Sequence, residues 1–507
     1  MASPLSPDDD VFDRLKASAD PEVVSEREKA VQERVRAQYE KAQRRLAGLI
    51  EDNSTLPVNI ADIRIHGTKI TREGFLKSVF ADALKEEKQK SYTLKTVMEE
   101  LQRTTDKLHR FGIFHPTINM YLDQAHSSSG TALSALLTVQ ERGRLVLKTG
   151  TELGNAEGGG YLNATLRNVF GGAESIYASA TTATSTADVG ARSRSSYELA
   201  FATPIAANPD TVAEVAGFSS ARSNHFFASH EEATQGVRAG LRFLSSHGSH
   251  ELGYTGAWRQ VTNLSDGASP TIREDAGDTV KSSITHTFTT DTRDNKLLPM
   301  TGSLFRNITE LAGLGGDVSF LKNELEASRS HPLAHGISFS AGLRAGVIVP
   351  LPGLSEGTPA RPSRINDRFF LGGATDIRGF RENGIGPRDG NDAVGGDVYL
   401  AGGASVFFPL PRLGVDSPFR LQAFVNGGRL VALQKPADGE KSSTTTTTLL
   451  DAVKEVGVGL PSIAAGVGLV YAHPVARFEL NFALPVVKRE NERARKGLQF
   501  GVGISFL

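Results

Sequence analysis

From about residue 145 onward, the sequence alternates apolar residues with small or polar ones, in segments of roughly 9 to 14 residues. In ARFELNFALPV (476–486), Phe478 and Leu480 fall on one face of an extended chain, and Glu479 and Asn481 on the other. Successive side chains of a strand point to opposite faces, so this spacing predicts strands. A strand that crosses a bilayer at a tilt has about 9 to 11 residues. The alternation therefore predicts a series of membrane-spanning strands.

About sixteen such segments can be counted, and an even number of antiparallel strands is typical of a closed transmembrane barrel. Closure pairs every backbone group, which a strand in lipid requires. The polar alternate residues would face the lumen, which is compatible with a mean hydropathy of −0.22. The segments begin near residues 145, 159, 172, 193, 212, 234, 249, 278, 301, 317, 336, 396, 418, 462, 476 and 497.

The longest connections follow the seventh, eleventh and thirteenth segments, at roughly 261–277, 350–395 and 431–461. All three follow odd-numbered strands, so an up-and-down barrel places them on one side. The other side has short turns such as DTRDNKLLP (291–299), and this asymmetry is typical of outer-membrane barrels. In the third connection, the run SSTTTTT (442–448) predicts a mobile loop tip.

A soluble protein is the alternative, because many short alternating strands also form sandwiches and propellers. A propeller is disfavoured, since no repeat of about 40–50 residues is visible and the chain has one Trp. No run approaches the roughly 18 apolar residues of a membrane-spanning helix. The period-two pattern favours a membrane barrel over residues 145–507.

The residues before the barrel divide into two parts. The sequence of residues 1–50 predicts an acidic, disordered start, followed from about residue 22 by a charged helix. This helix has a narrow apolar stripe on one side. That helix would dock on a surface, or it is solvated and stabilised by charge pairs between residues four apart. Residues 51–141 predict a compact α+β module, in the order strand, helix, helix, strand, strand.

Composition and motifs disfavour several classes of function. The 56 Lys and Arg balance the 57 Asp and Glu, so nothing indicates nucleic-acid binding, and the chain has no cysteine for a disulfide or thiolate metal site. In HPLAH (331–335) a proline between the two histidines disfavours the helix that would let both bind one metal ion. The Asp and Asn side chains of DTRDN (291–295) are typical of a tight turn, in which they bond their own backbone. GIGPRDG (384–390) lacks the strand-to-helix context of a nucleotide fingerprint. We therefore expect no enzyme, no cofactor and no metal.

One stretch in the second long connection, RFFLGGATDIRGFRENGIG (368–386), has an unusual composition for a loop. Its Phe369, Ile377 and Phe380 would be costly in water, and structureless loops longer than about 15 residues are uncommon unless they pack on something. Its glycines allow a tight hairpin, and Arg378 offers a five-donor fork. We expect this loop to fold back into the barrel.

RFFLGGATDIRGF (368–380) resembles the loop-six signature of the outer-membrane β-barrel assembly superfamily. DTRDNKLLPMTGSLF (291–305) resembles the family's turn before strand nine, and AFVNGG (423–428) its Phe-x-Asp-x-Gly motif on strand thirteen. The resemblance implies a sixteen-stranded barrel preceded by a polypeptide-transport-associated (POTRA) domain, here residues 51–141. It also implies that the loop is held in the lumen through Phe369, Gly372, Gly373, Ile377, Arg378, Gly379 and Phe380. The residues of the barrel wall that would contact the loop are Phe424, Asn426 and Gly428.

Two wall positions depart from the family pattern. Asn426 stands where bacterial members have an acid, and Ser405 or a neighbour stands where they often have a Glu on strand twelve. We therefore expect the partners of Arg378 to be neutral carbonyl or amide oxygens rather than a carboxylate.

A POTRA-like domain without a secretory signal or transit peptide resembles the mitochondrial branch, the sorting and assembly machinery. QFGVGISF (499–506) fits that branch's signal on the last strand. The resemblance implies an insertase of the mitochondrial outer membrane, with its POTRA-like domain in the intermembrane space. Its lateral gate would lie between the first and last strands, at Leu147, Thr149, Gln499, Gly501, Ile504 and Phe506.

The implied partners are unfolded β-barrel precursors, accessory subunits of a sorting and assembly complex, and the lipid bilayer, but no nucleic acid. The alternative function is a passive pore or a protein-translocating channel of the same architecture, in a plastid envelope or a bacterial outer membrane.

Overall fold

A computed structural model describes residues 48, 51–85, 92–125, 132–154, 157–185, 194–353, 361–411, 414, 417–433, 443–503 and 506. The helix predicted from about residue 22 lies outside the described residues. Within the described part of the chain, no helix is both long enough and apolar enough to span a membrane. The described residues form two compact units, which divide after Arg142 except that residues 70–72 group with the second unit.

The first unit is a three-stranded sheet with two helices. Its elements are β1 (Asn59–His66), α1 (Glu73–Phe80), α2 (Leu94–Arg110), β2 (Asn119–Gln124) and β3 (Ala132–Thr138). The strand order is β1-β3-β2, with β3 parallel to β1 and antiparallel to β2. This is the order of elements that the sequence predicts.

A capping box begins α2, because the side chains of Thr93 and Thr96 each bond the other residue's backbone N–H. Val97, Leu101 and Leu108 then recur on one face of the helix and are completely buried. The apolar face that the sequence predicts for this helix therefore packs in the core of the first unit.

The second unit is one sixteen-stranded antiparallel sheet in which the strands are ordered as in the sequence. The largest offsets from the predicted starts are three residues, at β6 (172 predicted), β9 (234) and β13 (317). The strands are β4 (Leu145–Gly154), β5 (Glu157–Arg167), β6 (Ser175–Ser185), β7 (Arg194–Pro204), β8 (Thr211–Ser223), β9 (Glu231–Leu244), β10 (Ser249–Thr262), β11 (Gly277–Asp291), β12 (Gly302–Gly316), β13 (Phe320–Pro332), β14 (Ser338–Pro350), β15 (Val398–Pro409), β16 (Phe419–Val431), β17 (Ser462–Ala472), β18 (Arg477–Val487) and β19 (Gly497–Gly503).

The two faces of this sheet differ in chemistry, as the period-two pattern requires. On one face, side chains such as Val237, Trp258 and Leu498 are exposed although they are apolar. On the other face Arg238 of β9 reaches back two strands, with Nη2 2.6 Å from Oε1 of Glu198 on β7. An apolar exposed face opposite an ion-paired one is the arrangement expected of a wall between lipid and an aqueous lumen.

The third long connection contains helix α4 (Ser443–Val458), so the predicted mobile tip at the threonine run was wrong. Ala452 and Val456 of this helix pack against Val398 of β15. This apolar contact gives the helix a surface on which to form, and tertiary packing outweighs the weak helix propensity of threonine. The first long connection contains a shorter helix, α3 (Pro270–Asp275).

Candidate functional site

The second long connection, between β14 and β15, folds back onto the polar face of the sheet. Its Phe369, Leu371, Ile377 and Phe380 are buried in one apolar cluster. The sheet contributes other members of that cluster, including Ala401, Leu430 and Ala464. The apolar side chains that looked misplaced in a loop are therefore covered by the strands.

Arg378 makes a bidentate ion pair with Glu479 of β18. Its Nε lies 2.9 Å from Oε2 and its Nη2 lies 3.1 Å from Oε1. The two side chains are 1% and 0% exposed. The expectation that Arg378 has only neutral oxygen partners was therefore wrong, because the acid comes from β18 rather than from the two strands that depart from the family pattern.

The remaining oxygen capacity of Glu479 is used by polar neighbours on the sheet. Gln422 Nε2 donates to Oε2 at 3.1 Å, and Asn481 Nδ2 donates to the same oxygen at 2.7 Å. Arg477 forms a second ion pair with Oε1. A buried carboxylate is stable only when it is paired and hydrogen-bonded, and Glu479 has both kinds of partner.

Aromatic rings cover the two arginines. The Cζ atom of Arg378 is 4.8 Å from the ring centroid of Phe424 and 5.7 Å from that of Phe506. The Cζ atom of Arg477 lies 5.0 Å from the Phe407 ring and 4.7 Å from the Phe506 ring. Aromatic faces attract cations at these distances, so the rings add to the stabilisation of both charges.

The other two predicted wall residues also face the loop. Asn426 Nδ2 donates to the carbonyl oxygen of Asp376 at 3.4 Å. At Gly428 a Cβ atom would lie 2.6 Å from Cδ1 of Ile377, so only glycine lets the loop approach this closely. Burial raises the pKa of the Asp376 carboxyl, although the Gly372 N–H and the nearby charges of Arg344 and Arg378 act in the opposite direction.

The loop glycines turn the chain where other residues would be strained. Gly372, Gly373 and Gly379 have φ of 109°, 136° and 85°. A Cβ at Gly379 would in addition lie 2.7 Å from Cβ of Ala464. Arg378 therefore reaches β18 from a loop backbone that requires glycine directly after it, at Gly379, and at the earlier turn of Gly372 and Gly373.

The last strand, β19, is bonded to the same loop. The side chain of Gln499 accepts the N–H of Gly379 at 2.8 Å and donates to the carbonyl oxygen of Phe380 at 3.2 Å. At Gly501 a Cβ would lie 3.3 Å from Cβ of Ala374. Glycine on β19 thus provides a flat surface on which the loop lies.

The remaining predicted gate residues are not all brought together. Leu147 and Thr149 are exposed on β4, which in the described residues pairs with β5 alone. Ile504 lies outside the described residues. The Phe506 ring lies against the two buried arginines, beyond the end of β19 at Gly503.

Sequence reasoning missed Glu479 and Arg477 as members of this site. A signal for them existed, because both alternate with Phe478 and Leu480 on an otherwise apolar strand. Charged residues at lumen-facing positions beside a loop arginine could have been proposed as its partners.

The comparisons with known proteins agree with this geometry. The family model for the Omp85 superfamily domain matches residues 168–506. The chain belongs to the Omp85 superfamily. A SAM50-like protein of Schizosaccharomyces pombe is 39% identical over 485 residues, which cover 94% of this chain and 97% of that protein.

Two further relatives are named for the same machinery. The sorting and assembly machinery component 50 homolog of Mus musculus is 34% identical over 425 residues, or 82% of this chain and 85% of the relative. The sorting assembly machinery 50 kDa subunit of Saccharomyces cerevisiae is 38% identical over 267 residues, or 51% of each chain. These relatives place the chain in the mitochondrial branch of the superfamily, in the mitochondrial outer membrane.

Among solved structures, BamA of Haemophilus ducreyi lacking POTRA domains 1–3 superposes with a TM-score of 0.68. It is 15% identical, and the match covers 88% of this chain and 84% of that one. This likeness concerns the fold. Together with the family it identifies the sixteen-stranded sheet as a transmembrane β-barrel, whose polar face is the lumen.

Proposed function

We propose that this protein inserts β-barrel precursors into the mitochondrial outer membrane through a lateral gate between β4 and β19. The family supports a role in β-barrel assembly. The observation that supports the gate is the hydrogen bonding of β19. This strand pairs with β18 on one edge, and its Gln499 side chain binds the loop on the lumen side. In the described residues no ladder joins its other edge to β4.

An open edge explains how insertion proceeds without a covalent step. A strand edge presents unpaired N–H and C=O groups, which are costly in lipid. An arriving precursor strand satisfies them by adding to the edge, and its own terminal strand takes the place of β19. The loop that carries Arg378 supports β19 from within the lumen while this exchange takes place.

The proposal also gives a role to the POTRA-like domain and to partner subunits. The POTRA-like domain, residues 51–141, faces the intermembrane space, where it meets precursors. Accessory subunits of a sorting and assembly complex bind the barrel or this domain. No catalytic residue, cofactor, metal or nucleic acid takes part.

Single cysteines test the gate, because the chain has none of its own. Leu147 on β4 and Leu498 on β19 are each 60% exposed, and Val237 on β9 is a matched control at 59%. An arrested precursor should form a disulfide with Leu147→Cys through a cysteine in its last strand and with Leu498→Cys through a cysteine in its first strand, and with Val237→Cys through neither. Equal crosslinking at all three positions, or crosslinking at none, would show that there is no gate at this seam.

The alternative is a passive pore or a protein-translocating channel with the same barrel. The two functions are separated by restoring the purified protein to membranes depleted of it. An insertase restores assembly of newly made barrel proteins in the membrane. A channel restores passage of solute or unfolded chain and leaves barrel assembly deficient.

A further inference from the structure

The long loop is held at a second place, on strands other than the one that holds Arg378. Asp367 lies in its stem, residues 361–368, on the N-terminal side of Arg378. Its Oδ1 lies 2.6 Å from Nη1 of Arg259 on β10, and these side chains are 2% and 4% exposed. We call this pair the stem anchor, and the pair of Arg378 and Glu479 the tip anchor.

The surroundings of Asp367 are built for an anion. Lys281 of β11 has its Nζ 3.8 Å from Oδ1, and Lys322 of β13 donates to the backbone carbonyl oxygen of Asp367 at 3.1 Å. Three cations on three strands therefore converge on one residue of the loop. Since a buried carboxylate needs such partners, the stem is drawn to this wall and not to another.

Neighbouring contacts hold the stem to the same wall. Asn366 donates to Oε1 of Glu232 on β9 at 2.6 Å, and the N–H of Ile365 donates to Asp275 at 2.9 Å. The Ile365 side chain joins an apolar cluster with Val261 and Ile272. Polar and apolar contacts thus agree on where the stem lies.

The two anchors are on opposite walls of the barrel. The stem anchor uses β10, the seventh of sixteen strands, and the tip anchor uses β18, the fifteenth. We propose that the loop is a strut across the lumen, and that Asp367 and Arg259 are positioning residues that hold its tip against the last strand. The proposal deepens the proposed function, because the strut sets where β19 is supported at the gate.

A disulfide between the loop tip and β19 measures this positioning directly. A Cβ at position 501 would lie 3.3 Å from Cβ of Ala374, close to the separation that a disulfide requires. With Asp367 and Arg259 intact, the pair Ala374→Cys and Gly501→Cys should crosslink rapidly. Asp367→Ala or Arg259→Ala should slow the crosslink about tenfold or more, because the effective concentration of the two thiols falls when the stem is released.

A second disulfide controls for folding of the barrel. Ser330 and Ser340 are partners on β13 and β14, with their Oγ atoms 3.1 Å apart. Crosslinking of Ser330→Cys with Ser340→Cys should not change in the Asp367 or Arg259 variants. Arg259→Lys should keep the tip crosslink near its original rate, because one donor and the charge are enough for the single hydrogen bond seen here.

Other results would overturn the strut. If Asp367→Ala leaves the tip crosslink unchanged, the stem anchor does not position the tip. If both crosslinks slow in the same proportion, the pair supports the barrel as a whole. If the tip crosslink does not form in the unaltered background, the tip is not placed against β19. None of these readouts depends on precursor insertion, so the strut and the proposed function can fail separately.

Discussion

The two anchors of the long loop are both buried ion pairs, yet their hydrogen bonding differs. In the tip anchor Arg378 makes two hydrogen bonds to Glu479, and Gln422 and Asn481 donate to the same carboxylate. In the stem anchor one hydrogen bond joins the pair, and Nε and Nη2 of Arg259 and Oδ2 of Asp367 have no hydrogen-bond partner in the described residues. Burial alone therefore does not determine how firmly a charge pair holds a loop.

The difference follows from the cost of desolvation. A buried charge is stabilised when its hydrogen-bonding groups are all used, and unused groups each carry a penalty. The tip anchor meets this condition for its carboxylate and the stem anchor does not. We infer that the tip anchor contributes more to the stability of the barrel, and that the stem anchor mainly determines where the loop lies.

The largest effect is expected from Glu479→Gln. The change leaves Arg378 and Arg477 buried without their common anion, and removing one partner of a buried pair costs about 3–5 kcal/mol. Urea unfolding in detergent should show a loss of at least that size. Glu324→Gln is the control, because Glu324 pairs with Lys322 at 3.1 Å and is 35% exposed. A loss of about 1 kcal/mol or less is expected there, because this carboxylate is half-buried and keeps contact with water. Equal losses would remove the distinction between a fully buried and a half-buried acid.

Replacing each whole pair by apolar residues tests the comparison itself. Arg259→Met with Asp367→Leu should change the free energy of unfolding by less than about 1 kcal/mol, since apolar replacement of a buried pair is often neutral. Arg378→Met with Glu479→Leu should cost about 3 kcal/mol, because Arg477 is then left without its anion. Similar losses in the two double variants, measured by the same unfolding assay, would show that the anchors do not differ.

A smaller effect is expected where the tip packs on the wall. Gly428→Ala puts a methyl group 2.6 Å from Ile377 and 2.9 Å from Leu371, so the loop must shift. Overpacking of this kind costs about 1–3 kcal/mol. At Gly402 the nearest atom would be 3.5 Å away, so Gly402→Ala should unfold like the original protein. A neutral Gly428→Ala would mean that the tip is not pressed against this wall.

Much of the fold could be predicted from the sequence, because a strand's period and length are local properties. All sixteen strands were found in this way, and so was the packing of Phe369, Ile377 and Phe380 under the strands. The helix at Ser443–Val458 was missed because it forms on a surface that comes from β15, far along the chain.

The site was harder to predict, since partners across a barrel are far apart in sequence. The sequence drew attention to Arg378 as a five-donor residue of the loop, but its partner Glu479 is 101 residues away, and Arg259 lies 108 residues before its partner Asp367. Periodicity assigns each of these residues to the lumen face and says nothing about which of them meet. Only the order of strands around the barrel, with the path of the loop, determines the pairs.

The smallest expected effect tests how far the tip anchor extends towards the end of the chain. Phe506 lies against both Arg378 and Arg477, and such contacts are worth about 0.5–2 kcal/mol. Phe506→Leu keeps an apolar side chain but removes the aromatic face, so a loss of about 1 kcal/mol in unfolding is expected. Phe500→Leu is the matched control, because Phe500 is 55% exposed on the lipid-facing side of β19. If the two variants unfold alike, Phe506 adds nothing to the tip anchor, and the anchor's stability comes from the sheet and the loop alone.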